Sequence, residues 1–376
     1  KLEYRGYDSS GIAILSDKGI ELNKCKGEIK NLENMIAGRV PKGTCGIGHT
    51  RWATHGAPSD VNSHPHMDQS GRVALVHNGI VENYVELKET LINEHGIKFK
   101  SETDSEVIAQ LVGVKYNANG GDLEKAVYDA TKEMRGTYAI GVIAEDTPDK
   151  IVAYRKEAPL IAGLGKKSNF IASDIPALLK YTNDIFLIEN DEMVICTPDS
   201  ITIKDKDGKE VKREAMKITW SVEDAEKGGY EHFMLKEINE QPKVVAETLN
   251  RRIDEDGKIK LDGINLTKEE LDKYNKIYIV ACGTAYHAGL VGKYVIEKMA
   301  GIAVEVDVAS EFRYRDPFID EKTLFIAISQ SGETLDTLMS LRLAKEKGAR
   351  VLSVVNVVGS SIARESDDVF YTWAGP

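Results

Sequence analysis

Short apolar runs dominate the first ~220 residues. Residues 11–15, 45–49, 73–77, 138–144 and 170–173 read as β-strands, with glycines and polar clusters between them. That is the pattern of antiparallel sheets in an α+β layer fold. Residues 81–94 and 103–116 instead carry apolar side chains at steps of three and four, which predicts helices. Asp122 is placed to cap a third helix running through Glu133.

The pattern changes after about residue 220. Residues 221–241 are charged and lack strand alternation, so they read as a linker leading into a helix. Residues 254–276 are polar and carry Gly257 and Gly263. Then strands at 277–281, 303–309, 323–328 and 350–358 are interleaved with helices at 288–299 and 334–347. Continuous apolar strands alternating with helices predict βαβ units and a parallel sheet. The expected organisation is a first domain over 1–220, a linker over 221–265 and a second domain over 266–376. There is no sequence repeat or low-complexity tract.

Composition narrows the function. With 49 basic and 60 acidic residues the formal net charge is −11, which argues against broad nucleic-acid binding. No apolar run approaches the ~18 residues of a membrane span. The four cysteines, Cys25, Cys45, Cys196 and Cys282, are scattered without a CxxC pair. They form neither a disulfide framework nor a zinc motif, and a reducing cytoplasm is the expected setting.

Candidate chemistry lies at strand ends. Ser329-Gln330-Ser331-Gly332-Glu333-Thr334 follows an apolar strand and opens a helix, as does Cys282-Gly283-Thr284-Ala285. Hydroxyls and helix-start N–H groups at parallel strand ends make an anion site. The alternative for the first loop is an ordinary helix cap by Ser331. Two such loops on one sheet point to one phosphate, and the absence of GxGxxG or GK[ST] points to a monophosphorylated small molecule. Cys282, with no evident base, reads as a packed small residue.

In the first half, Arg51 within 49–56 offers a planar fork for a carboxylate. His77-Asn78-Gly79 follows the strand at 73–76. Its side-chain amide and backbone N–H suit an oxyanion hole, and its alternative is a hairpin turn. Asp104 suits either an ammonium ligand or helix capping. His64-Pro65-His66 has too few ligands for a metal site and reads as a polar loop.

Together these strings resemble the glutamine–fructose-6-phosphate aminotransferase (glucosamine-6-phosphate synthase) family. They are LEYRGYDS (2–9), HTRWATHG (49–56), HPH (64–66), HNG (77–79), SETDSEV (101–107), HFMLKEINEQP (232–242), ACGT (281–284), SQSGET (329–334) and NVVGSSIARESD (356–367), in family order. The resemblance implies an N-terminal-nucleophile (Ntn) glutaminase domain of sandwiched antiparallel sheets. An α/β parallel-sheet sugar-isomerase (SIS) domain follows it. Ammonia freed from glutamine would reach fructose 6-phosphate through a channel and give glucosamine 6-phosphate, an amino-sugar precursor. No metal or cofactor is implied. The implied partners are the two substrates and a second copy through the isomerase half, with no nucleic acid or membrane. On this resemblance Arg51 would clamp the glutamine α-carboxylate and Asp104 its ammonium. Thr54 and His55 would line the same pocket, with Arg5 near it. Asn78 and Gly79 would form the oxyanion hole, and Trp52 would gate the channel. Thr284, Ser329, Gln330, Ser331 and Thr334 would cradle the sugar phosphate.

Three departures accompany it. The family's N-terminal Cys nucleophile is absent, because the chain starts at Lys1 downstream of it, and none of the four cysteines replaces it. The chain as given is therefore expected to lack glutaminase activity. The second sugar-isomerase domain is also absent, so the chain reads as truncated at both ends. Ala285 stands where the family usually has Ser, removing one phosphate hydroxyl. The competing readings are a non-catalytic sugar-phosphate-binding regulator and another amidotransferase of the same glutaminase type. The SQSGET and ACGT loops disfavour the latter.

Overall fold

The computed structural model describes residues 6–52, 56–218, 229–254 and 256–375. The chain divides into two compact units, Lys1–Thr219 and Trp220–Pro376. No helix among the described residues is long and apolar enough to cross a membrane.

The first unit contains β1 (Ser9–Ser16), β2 (Gly19–Lys26), α1 (Ile29–Ile36), β3 (Cys45–Arg51), β4 (His66–Met67) and β5 (Val73–Val81). Helices α2 (Tyr84–His95), α3 (Asp104–Ala118) and α4 (Leu123–Glu133) follow. The remaining strands are β6 (Gly136–Ala144), β7 (Ile151–Lys156), β8 (Ile161–Gly163), β9 (Phe170–Ala172), β10 (Asp184–Leu187), β11 (Glu192–Cys196), β12 (Ile201–Lys204) and β13 (Met216–Lys217). They form three sheets, ordered β12-β11-β7-β6-β5-β4, β13-β10-β8-β9 and β2-β1-β3, with every pairing antiparallel.

Side-chain alternation assigns the layers. Val73, Leu75 and Val81 of β5 pack with Val107, Ile108, Leu111 and Val112 of α3 and with α4. Ala74, from the opposite face of β5, packs with Ala13, Leu15 and Ile47 of the three-stranded sheet. Farther along, Ala139, Ala153 and Val194 of the six-stranded sheet meet Ala162 of the four-stranded one. The expected sandwich of antiparallel sheets is present, with helices on its far face. Each buried aliphatic side chain on α3 contributes about 1.5–3 kcal/mol, so the first turn of α3 is fixed firmly against β5.

The structure moves several predicted boundaries. The expected helix at 81–94 begins at Tyr84, because Val81 still pairs with Gly136 at the end of β5. His77-Asn78-Gly79 is neither a hairpin turn nor a strand end. It lies inside β5, opposite Ile140, Ala139 and Tyr138, because β6 is long enough to continue the pairing. Asp122 caps α4 as expected, accepting from Lys125 N–H.

In the second unit, α5 (Phe233–Asn250) carries Pro242 in its interior. Then come α6 (Lys268–Leu271), β14 (Lys276–Ala281), α7 (Gly283–Ala300), β15 (Ala303–Val308), α8 (Ala309–Phe312), β16 (Thr323–Ser329), α9 (Leu335–Glu346), β17 (Arg350–Val355), α10 (Ser361–Glu365) and β18 (Asp368–Tyr371). The sheet order is β15-β14-β16-β17-β18, all parallel as predicted. One face packs Tyr278, Val280, Phe325 and Val351 against α8, α9 and α10. The other packs Ile277, Ile279 and Val304 with Ile296 of α7. Strand order reverses between β14 and β16, which opens a crevice at their carboxyl ends.

Gly79 has φ +116°, and a Cβ there would overlap the Thr137 carbonyl oxygen. Gly79→Ala is expected to destabilise the chain by about 2–4 kcal/mol. A denaturant-unfolding midpoint equal to wild type would show that the β5–β6 pairing relaxes around the added methyl.

Candidate functional site

One cavity of about 1280 Å³ in the first unit brings together Arg51, Trp52, Asn78, Gly79 and Asp104. Arg51 closes β3, is buried and donates from Nη2 to Gly56 O at 3.2 Å. Burial lowers its pKa, and Asp8 and Asp104 oppose that effect. Trp52 is 58% exposed, with Tyr7 edge-on at 5.4 Å. Thr103, not Asp104, caps α3, accepting from Glu106 N–H at 3.2 Å. Asp104 opens the first turn, and its Oδ2 accepts from Val81 N–H at 3.0 Å. The capping alternative for Asp104 is thereby replaced by a brace between α3 and β5.

Strand β5 explains the donors. Its outer edge is paired by β4 only at Ala74 and Leu75. Beyond that point His77 N–H points to His64 Nδ1 at 3.3 Å, and Val81 N–H points to Asp104. N–H groups two apart in a strand share an edge. Gly79 N–H, midway between them, therefore faces the same open edge. The Asn78 side chain faces the other sheet, where its Oδ1 lies 2.8 Å from His49 Nε2.

Buried His64, His66 and His77 and half-buried His49 surround these donors, and motif reading gave them no role. His49 and His64 stack at 4.2 Å, and His64 meets His66 edge-on at 5.0 Å. His77 Nδ1 is 2.9 Å from Ser105 Oγ, and His66 Nε2 is 3.2 Å from Thr103 Oγ1. Burial depresses all four pKa values, that of His49 to about 4. His64-Pro65-His66 is thus interior structure, not the expected polar loop. Its signal was three histidine-containing motifs in one half, legible only once β3, β5 and α3 are brought together. Thr54, His55 and Arg5 lie outside the described residues.

Among the cysteines, Cys45 and Cys196 line the cavity. Burial pushes their thiols up to about 11 and about 12, the opposite of an activated thiolate.

A second candidate site lies at the carboxyl ends of β14 and β16, where the strand order reverses. Ala281 and Ile328 are paired at adjacent strand ends, so the loops that follow them are neighbours. Helices α7 and α9 both begin there without a side-chain cap, leaving N-terminal N–H groups for a ligand. The Ser331 capping alternative is not what forms. Thr334 occupies the N-cap position, while Ser331 Oγ accepts from Glu333 N–H at 3.2 Å. Thr284 and Gln330 are exposed, and Ser331 and Thr334 are half-buried. Ser329 is buried. Its Oγ accepts from Gly332 N–H at 3.0 Å and lies 3.1 Å from Thr334 Oγ1. Glu333, unassigned from sequence, holds Ser361 N and Oγ, each at 2.8 Å. Cys282 sits at the N-cap of α7 with Thr337 Oγ1 at 4.0 Å, as a packed residue would.

Residues 49–180 match the family model for a glutamine amidotransferase domain, and residues 270–376 match that for a SIS domain. Over all 376 residues the chain is 60% identical to the glutamine–fructose-6-phosphate aminotransferase [isomerizing] of Clostridium tetani. It is 59% identical to the enzyme so named from Clostridium perfringens and 57% to that from Caldanaerobacter subterraneus subsp. tengcongensis. The chain spans 61% of the length of each of these relatives.

The histidine cluster fixes a pH response. Unfolded histidines take up protons below pH ~6.5, whereas the buried ones stay neutral to lower pH. Stability is therefore complete above that point and falls as pH drops from 6.5 toward 4, where His49 titrates. Each buried histidine steepens the loss by about 1.4 kcal/mol per pH unit. Lys24, lowered by burial to about 8, is charged in both states across this window and leaves it unaffected. Urea midpoints that stay flat between pH 7.5 and 5 would contradict neutral burial of the cluster.

Proposed function

We infer that this chain, which belongs to the glutamine–fructose-6-phosphate aminotransferase family, carries the glutamine-hydrolysing and first sugar-phosphate-binding parts of an enzyme. That enzyme transfers the glutamine amide nitrogen to fructose 6-phosphate, giving glucosamine 6-phosphate and glutamate. The observation that carries this reading is the convergence of Arg51, Asp104, Asn78 and Gly79 on one cavity, beside the open edge of β5.

The assigned roles follow from charge and geometry. The Arg51 guanidinium takes the α-carboxylate of glutamine in a two-pronged pairing, and the Asp104 carboxylate takes the α-ammonium. Held at that end, the side-chain amide reaches Asn78 and Gly79. As the carbonyl carbon becomes tetrahedral, its oxygen gains negative charge, which the Asn78 amide and Gly79 N–H stabilise. Neither cavity cysteine suits attack, so the nucleophile in this reading is another residue. Trp52, exposed beside Tyr7, gates the route for ammonia.

The sugar phosphate sits in the crevice of the second unit, over the uncapped starts of α7 and α9. Ser331, Thr334, Thr284 and Gln330 supply donors to it. Ser329 acts from beneath, holding Gly332 and Thr334 in place. A homodimer through the isomerase half is part of this proposal. Val291, Tyr294 and Met299 of α7, all more than 60% exposed, support it. The acidic net charge supports partners other than nucleic acid.

In the whole protein, Arg51→Ala is expected to raise the KM for glutamine about 100-fold while synthesis from free ammonia survives. Equal loss of both activities in steady-state assays would make Arg51 structural. Ser331→Ala is expected to weaken fructose 6-phosphate binding about 10-fold and to spare glutamine hydrolysis. Unchanged sugar affinity by calorimetry would remove Ser331 from the phosphate site.

A further inference from the structure

The oxyanion-hole reading leaves one geometric question open. A carboxamide has nearly the same shape when its oxygen and nitrogen are exchanged, but only one orientation donates. With the oxygen turned inward, Asn78 would oppose the developing negative charge. Some neighbour must therefore fix which end faces glutamine.

His49 is placed to do so. It lies on β3, across the sandwich from the face of β5 that carries Asn78, with Nε2 2.8 Å from Asn78 Oδ1. The ring cannot turn freely, because it stacks on His64 at 4.2 Å and 23°. Its other nitrogen, Nδ1, is buried and has no hydrogen-bond partner among the described residues. A proton on Nδ1 would be a buried donor without an acceptor, a costly arrangement. The proton therefore belongs on Nε2, and Nε2–H requires an acceptor opposite it. Asn78 Oδ1, at 2.8 Å, is the side-chain acceptor there, beside a backbone hydrogen bond of His49 with His77. With its oxygen turned to His49, Asn78 leaves its N–H2 group pointing the other way. Because burial keeps His49 neutral down to about pH 4, this polarity does not change across the working range.

We propose that His49 is a positioning residue for the oxyanion hole, its Nε2–H holding the Asn78 side-chain oxygen so that the Asn78 amide N–H2 faces the glutamine carbonyl. The proposal rests on the glutaminase reading above. His49 does not touch glutamine in it; it acts only through Asn78.

The test compares His49→Gln with His49→Met in the whole protein. The two side chains are of similar length, but only Gln retains an N–H near the Nε2 position. His49→Met is expected to lower kcat for glutamine hydrolysis about 10- to 100-fold, part of what loss of a whole oxyanion donor costs. Glutamine KM and ammonia-dependent synthesis should stay near wild type, and His49→Gln should recover most of kcat. Added to Asn78→Ala, His49→Met should cause little further loss, since it has nothing left to orient. Equal kcat for the Gln and Met variants would overturn the proposal. So would an additive loss in the Asn78→Ala background, or a matching loss of ammonia-dependent synthesis. If Asn78→Ala itself leaves glutamine hydrolysis unchanged, the oxyanion reading fails and His49 falls with it. If Asn78→Ala is damaging but His49→Met is not, only the His49 proposal fails.

Discussion

Strand β5 is held by β6 along all nine of its residues but by β4 along only two. That imbalance is the constraint on which the first site depends. Pairing with β6 keeps the alternation strict, so His77 turns toward α3 and Asn78 toward β3. Among the described residues no strand continues the pairing on the other edge, which leaves N–H groups that ordinary sheet pairing would consume. His64 and Asp104 take two of them, at His77 and Val81. The N–H of Gly79 lies between. A hairpin at Asn78-Gly79 would have supplied the same two residues with no such direction, since a turn twists successive N–H groups away from one edge.

Electrostatics around this edge follows from burial. Four histidines packed together would repel one another if charged, and burial removes the charge before repulsion can act. They then serve as neutral, rigid hydrogen-bonding groups. Within this neutral surround the Arg51 guanidinium and the Asp104 carboxylate are opposite charges facing one cavity, whose lining also includes Asp149 and Lys167.

Much of this architecture was legible in the sequence. The parallel sheet could be read because its strands are buried on both faces: Ile277, Tyr278, Ile279 and Val280 are all interior. The residue types at the candidate sites were readable because each names its chemistry, as Arg51 does for a carboxylate. What failed was local context. Asn-Gly is a turn signal in isolation, and only the length of β6 overrides it. Helix α2 starts at Tyr84 because β5 still pairs at Val81, and Asn83 does not cap it because its amide is spent on Glu133 O and Arg135 N, bonds formed about 50 residues away. The roles of His49, His64 and Glu333 were illegible for the same reason. Each acts on a partner distant in sequence, and spacing along the chain carries no trace of it.

The two sites, different in fold, share a physical strategy. Hydrogen-bond donors help a ligand most when their direction is set beforehand, because no reorganisation is then needed on binding. In the first unit His49 and Asp104 hold groups on β5, and neither depends on the ligand to do so. In the second, Ser329 holds Gly332 N–H and Glu333 bridges to the start of α10. Gly332 sits at φ +65° directly against Ser360, where a Cβ would overlap the Ser360 hydroxyl. The backbone of the Ser329–Thr334 loop is thus fixed from both sides, and the Thr334 and Ser331 hydroxyls are themselves engaged, with Ser329 Oγ and Glu333 N–H. Ser329, buried and internally bonded, thus belongs to the frame of this loop.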